Sequence, residues 1–253
     1  MEFLEENVRF IMLHWVRCLA LVGPLPIFGQ GGTSRMARVG LGVALGTILS
    51  LLADIDQFDD PGQSLFLAVM VLKESLFGFI LAFIVLISFA TLRICGHIIG
   101  EEMGFNMASI QDPITGVNSQ LIAHLFESIG MMIFFMTNGH HVIIRALARS
   151  FEVYPVGKFD MSREFFSALV LFSSGMFASA LQVCAPVFVA LFAIAIALAI
   201  VARVAPQLQV MQFAFPAKIL TGLILLVTTI HVLAPSMIDV FEDLEIFLFE
   251  MFE

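Results

Sequence analysis

From Phe165 to Ala202 the chain carries no Asp, Glu, Lys or Arg. About 20 apolar residues suffice to span a hydrocarbon core, so this run is long enough to cross one and turn back. Pro186, near its middle, is the expected dividing point, because proline lacks an N–H and clashes with the preceding helical turn. Two helices or a kinked hairpin are therefore expected here. No soluble domain needs such a segment. With 60% hydrophobic and 13% charged residues among 253, and a mean hydropathy of +1.00, the chain lacks the charged surface that keeps a domain of this length in water. It reads as an integral membrane protein, or as part of a membrane-embedded complex.

Roughly six or seven apolar segments follow from the same length criterion. The first runs from about Val8 to Phe28 and ends in "GPLPIFG", whose prolines stop a helix. The second, Val39 to Ala53, is short and holds Gly42 and Gly46 in a spacing that lets two helices approach closely. The third runs from Ser64 to His97, the fourth from Leu121 through Leu147, and the last from near Phe215 to Ile238. Basic residues gather in two connections, one with Arg35 and Arg38, the other with Arg145, Arg149, Lys158 and Arg163. The positive-inside rule places both on the cytoplasmic side, yet three segments separate them, and an odd number of crossings puts them on opposite sides. One of the three is not a plain crossing, or the helices are not inserted in the usual way.

The net charge of −9 comes from acids at the start, in Asp54–Asp60 and after Asp239. No basic cluster with interleaved aromatics provides a footprint for nucleic acid. Cys18, Cys95 and Cys184 are far apart and odd in number, which suits small buried hydrophobes better than a disulfide framework or a metal site. The first residues are acidic and Arg9, His14 and Arg17 interrupt the first apolar run, so no signal peptide is expected. His140 and His141 follow Asn138 and Gly139 without the further ligands a zinc site needs, and read as a polar helix break. No nucleophile elbow, phosphate-binding glycine loop or catalytic carboxylate pair is present. No enzyme and no cofactor are expected.

Two stretches depart from the apolar background. In "GHIIGEEMGFNMASIQDPITGVNSQ" the glycines Gly96, Gly100 and Gly104 are four apart, forming one bare stripe on a helix that weakens near Gly104. "QDPITG" is a turn signal, leaving Phe105 to Asn118 as a loop. Non-helical backbone at membrane depth is tolerated only where protein buries it or it lines a cavity; a water-exposed connection is the plain alternative. In "VARVAPQLQVMQFAFPAKILTGL", Arg203, Gln207, Gln209, Gln212 and Lys218 interrupt the apolar context between Pro206 and Pro216. Uncompensated polar side chains there suit contacts with other subunits or with a water-filled space. Glu74 and Glu127 also sit inside apolar segments, as members of a proton relay or of buried inter-subunit pairs. Lys73 points about 100° away from Glu74 on a helix, so each needs its own partner.

Taken together, the second stretch and "GHIIGEEMGFNMASIQDP" resemble the signature motifs of the FliR/SctT family, a component of the export gate in bacterial flagellar and type III secretion systems. Other pieces fall in that family's order: "VGPLPIFG", "KESLFGFILAF", "NGHHVIIRALARSFEVYPVG" and "ALQVCAPV". The resemblance covers essentially the whole chain, with Ala214 and Ala217 standing where bulkier residues or glycine are expected. It implies an all-α membrane-associated protein whose residues 1–253 form a single subunit, with helices arranged as hairpins and kinked at proline. One copy would assemble with several copies of two other small hydrophobic subunits and with larger secretion-apparatus proteins. Together they would form a conical channel for unfolded exported polypeptides at the bacterial inner membrane, in contact with lipid and with no nucleic acid. The resemblance further implies a plug within about 105–118, comprising Phe105, Asn106, Met107, Ile110, Gln111, Asp112 and Pro113. Gly96, Gly100 and Gly104 would pack helices, and Glu74, Arg203, Pro206, Gln207 and Lys218 would make subunit contacts. Two competing readings are a self-sufficient secondary transporter, which would need internal repeats and midplane sites in broken helices, and a purely structural scaffold.

Overall fold

A computed structural model of the chain describes residues 2–28, 34–53, 64–105, 121–159, 163–204 and 210–252. Among these the regular structure is helical: α1 (Glu2–Val22), a 3-10 turn (Pro26–Phe28), α2 (Arg35–Leu52), α3 (Ser64–Met103), α4 (Leu121–Met136), α5 (Gly139–Val153), α6 (Arg163–Val204) and α7 (Val210–Glu250). No strand occurs among the described residues. The all-α membrane class that the resemblance implies is what the described residues adopt. Among the described residues four helices, α2, α3, α6 and α7, are long and apolar enough to cross a membrane, or up to five spans if α4 and α5 count as one.

Two boundaries differ from the sequence expectation. Pro186 does not divide its run: α6 continues through it as one 42-residue helix. In apolar surroundings a freed carbonyl is tolerated inside a helix, where two broken ends would expose eight unpaired groups. α7 likewise carries Pro216 and Pro235 in its interior and runs on into the acidic tail. The fourth apolar segment, by contrast, is broken. Asn138 takes the left-handed conformation at φ 58°, and α5 starts afresh from its carbonyl, which accepts from His141 N–H at 2.8 Å. That is the polar break expected from "NGHH", and it falls in one of the three segments that made a plain serpentine path inconsistent.

The chain divides into two compact units. The first comprises residues 1–87, 138–173 and 244–253. In it α1 and α2 meet where glycine replaces side chains. A Cβ on Gly46 would stand 2.9 Å from Trp15 Cα, and one on Gly42 3.3 Å from Leu19 Cα. Trp15 Nε1 then donates to Thr47 Oγ1 at 2.9 Å. Arg17 of α1 and Glu74 of α3 form the centre of this unit, both fully buried. Arg17 Nε donates to Glu74 Oε2 at 2.5 Å, Nη1 to Ser150 O at 3.1 Å and Nη2 to Tyr154 O at 3.1 Å. The backbone N–H of Gly157 donates to Glu74 Oε1 at 2.8 Å. The guanidinium lies over the rings of Phe151 at 4.2 Å and Phe77 at 4.7 Å. One ion pair thus ties α1 to α3 and caps carbonyls at the C-terminal end of α5, where orphan acceptors need donors. Gly78, one turn beyond Glu74, allows the approach, since a Cβ there would collide with Arg17 O and meet Ala20 Cβ at 2.8 Å.

The second unit comprises residues 88–137 and 174–243. Phe89, Phe134 and Phe241 pack as a three-ring cluster with centroids 5.3 to 5.5 Å apart. Glu127, 5% exposed, pairs with Arg93 Nη2 and lies 3.6 Å from His124 Nδ1. Cys18, Cys95 and Cys184 are all free and buried, as small hydrophobes.

Two measurements test what holds the first unit. Glu74→Ala leaves a buried guanidinium unpaired and is expected to lose about 3–5 kcal/mol, while the double change Arg17→Met, Glu74→Leu loses less than that single; thermal unfolding of the three variants in one detergent reads this. Gly78→Ala is expected to lose about 1–3 kcal/mol by overpacking. In the second unit, Gly175→Ala, with nothing within 4 Å of the added Cβ, is expected to gain up to about 1 kcal/mol because alanine suits a helix interior better than glycine.

Candidate functional site

In the second unit the end of α3, the start of α4 and the start of α7 come together, and glycine spacing explains how. A Cβ on Gly96 would lie 2.7 Å from Ala123 Cα and 2.8 Å from Ile122 O, so the backbones of α3 and α4 touch directly. Gly100 is buried in the next turn. Gly104 ends the helix in the left-handed region at φ +89°, a conformation glycine takes without strain. Its N–H donates to Glu101 O at 2.9 Å, and the Phe105 N–H reaches back to Gly100 O at 3.2 Å. This pair of bonds is a Schellman closure, which satisfies carbonyls that the helix end would otherwise leave open.

α7 packs against that closure. Phe215 Cδ1 stands 3.2 Å from where a Gly104 Cβ would be, and a Cβ on Gly222 would come within 2.6 Å of Met103 Cγ. Lys218 Nζ lies 4.0 Å from Glu102 Oε2, with both side chains about a quarter exposed, at 21% and 28%. At that separation and exposure the pair steers orientation more than it stabilises. The two stretches that stand out in the sequence, far apart along the chain, therefore meet here through Glu102–Lys218, Gly104–Phe215 and Met103–Gly222.

Before the closure, α3 presents a polar row. Arg93, His97 and Glu101 are four residues apart and 51%, 46% and 50% exposed. His97 Nε2 is 3.4 Å from Glu101 Oε1, and Arg93 reaches across to Glu127 of α4. Charged side chains exposed from a helix otherwise this apolar do not suit contact with hydrocarbon. They suit protein or water. Among the described residues no three His, Cys, Asp or Glu side chains converge as metal ligands.

Of the residues singled out from sequence, Gly96, Gly100, Gly104 and Lys218 gather in this site, with Phe105 half-buried just past it. Asn106, Met107, Ile110, Gln111, Asp112, Pro113, Pro206 and Gln207 lie outside the described residues. Arg203 is exposed in the last turn of α6. Glu74 is buried in the first unit with both carboxylate oxygens engaged inside the chain. Sequence reasoning missed Arg17 and Arg93 as the partners of Glu74 and Glu127. The only signal was coarse: Arg17 and Arg93, like the two acids, lie inside apolar segments, where a charge needs a partner.

The profile of the bacterial export proteins, family 1, matches residues 8–244. The flagellar biosynthetic protein FliR of Escherichia coli (strain K12) is 28% identical over 95% of this chain and 92% of its own length. The protein of the same description from Bacillus subtilis (strain 168) is 30% identical over 91% and 89%, and that from Aquifex aeolicus (strain VF5) 27% over 98% and 94%. The chain belongs to family 1 of the bacterial export proteins, the family of FliR.

Proposed function

We propose that this chain is a non-enzymatic subunit of the bacterial flagellar protein export gate, helping to form and close the channel through which unfolded polypeptides pass at the inner membrane. The observation that carries the proposal is how little of its apolar helices the chain covers itself. The most apolar stretch of α3 is 61% buried, whereas those of α2, α6 and α7 are 17%, 22% and 17% buried. Helices left this bare are completed by lipid or by other subunits. The half-exposed Arg93, His97 and Glu101 are unsuited to lipid, which favours protein partners and a polar passage. The relatives' descriptions as flagellar biosynthetic proteins support the flagellar system over an injector in this reading.

The segment 106–120 is the proposed plug. Its flanks support that role: Phe105 follows the closure at Gly104, and Ile122 sits against Gly96. These anchors on α3 are about 12 Å apart along the axis at 1.5 Å per residue, a little over two helical turns. Apolar side chains such as Met107 and Ile110 exclude ions, while Asn106, Gln111 and Asp112 serve backbone hydrogen bonds that an apolar setting does not supply. Arg203, Pro206, Gln207 and Lys218 are the proposed contacts to other gate subunits. Glu74 is left out of that set because its oxygens are committed within the chain.

Native mass spectrometry of the tagged protein, extracted in mild detergent from its host, is expected to show one copy with several copies of two smaller hydrophobic proteins. A stable monomer or symmetric homo-oligomer would favour a self-sufficient transporter instead. Within the assembled gate, deleting about ten residues around Ile110 is expected to raise the ion conductance of the membrane; an unchanged conductance removes the plug from the proposal.

A further inference from the structure

Two contacts within the second unit flank the connection from α3 to α4, and they differ in kind. At Gly96 the backbones touch, with Ala123 Cα 2.7 Å and Ile122 O 2.8 Å from where a Cβ would stand. Backbone against backbone has no rotamer to change. At the other flank the end of α3 meets α7 through side chains. The Phe215 ring lies beside Gly104, with Cδ1 and Cε1 3.2 and 3.5 Å from the Cβ position, and the Met103 side chain lies against Gly222. Lys218 Nζ stands 4.0 Å from Glu102 Oε2 with both side chains partly exposed, a pair that holds weakly. Within 214–222 of α7 only Gly222 is buried. Pro216 sits inside the helix between Phe215 and Lys218, and lacks the N–H that would bond the Gln212 carbonyl.

We propose that the seat of α7 on the end of α3 is a releasable latch. While α7 is seated, the end of α3 and the exit at Phe105 are fixed. When α7 lifts off, a movement that the missing hydrogen bond at Pro216 eases, the exit loses its support and the plug is let go. The inference rests on the plug reading above and adds which contact yields. Glu102, Met103 and Gly104 are consecutive, and their partners Lys218, Gly222 and Phe215 share one face of α7 at helical spacing. Three contacts on one short patch form and break together. Each opens by turning side-chain bonds: Met103 is unbranched and adaptable, and the Phe215 ring and the Lys218 and Glu102 chains have other staggered positions to take. At Gly96 the only way to part the helices is to move whole backbones. Weak, side-chain-borne contacts suit a device that must open without unfolding a helix.

The test is a charge exchange in the full chain, assembled with its partners in its own host, read as ion conductance of the membrane alongside the deletion of about ten residues around Ile110. Lys218→Glu and Glu102→Lys are each expected to raise conductance roughly two- to tenfold, the effect of turning a weak, partly exposed attraction into a repulsion, and to stay below the leak of the deletion. Combining the two restores the pair with its signs reversed and should return conductance close to that of the unaltered chain. Co-purification of the other gate subunits with each variant checks assembly. If a reversal does not assemble, Phe215→Ala is read in the same way and is expected to leak. A leaking deletion with tight single reversals, or with a tight Phe215→Ala where that stands in, overturns the latch and leaves the plug standing. Leaking singles that the exchange does not restore assign Lys218 and Glu102 to contacts outside the chain, and also overturn it. A tight deletion removes the plug, and the latch with it.

Discussion

A peptide group that faces hydrocarbon has no water to bond, and the cost of leaving it unpaired exceeds that of almost any local preference for another conformation. That constraint explains why α6 passes through Pro186 and why α7 passes through both Pro216 and Pro235. In water a proline inside a helix is a sufficient reason to stop. In apolar surroundings, stopping opens four N–H and four C=O groups, whereas continuing frees one carbonyl. The same arithmetic governs where helices do end. α3 ends only where Gly104 can close it, and α5 ends where Arg17 donates to the carbonyls of Ser150 and Tyr154.

Once the backbone is committed to helices, the driving force for joining them changes. Lipid is as apolar as leucine, so helices gain by van der Waals contact and by polar pairing more than by hiding from solvent. Both devices are visible, and in the first unit they are coupled. Gly78 lets α1 and α3 approach closely enough that Arg17 and Glu74 meet with no water between them. A bulkier residue at 78 would separate the two backbones and lengthen an ion pair that has no solvent to fall back on. The second unit uses the same pattern less deeply. Gly96 brings α3 onto α4 one turn from Arg93, whose guanidinium reaches Glu127 from a half-exposed position.

Local features were readable from the sequence because their causes are local. The GxxxG spacing of Gly42 and Gly46, the helix end at Gly104 and the break at Asn138 each follow from residues within one or two turns. Arg17–Glu74 spans 57 positions and Arg93–Glu127 spans 34. Nothing in either neighbourhood says which of several charges will be the partner, so the acids looked available for a relay or for another subunit. The extents of α3 and α7 were underread for a different reason. Glycine and acidic residues near their ends weaken a helix in water, but packing against Ala123 in one case and the bond of Glu245 to Arg145 at 3.4 Å in the other attends the longer helices.

The site itself was half legible. Each of the two unusual stretches announced itself by breaking the apolar pattern, but their meeting did not, because it depends on contacts between residues more than a hundred positions apart. Gly104 illustrates why the meeting matters. Its positive φ is needed to end α3, and the missing Cβ is also what leaves room for Phe215 at 3.2 Å. One residue thus terminates a helix and seats another on the end it has made. Any other residue at 104 would strain the turn and push α7 away together. Whatever leaves the helix at Phe105 therefore leaves from a point that α7 helps to fix, and the position of that exit is set by the two stretches jointly.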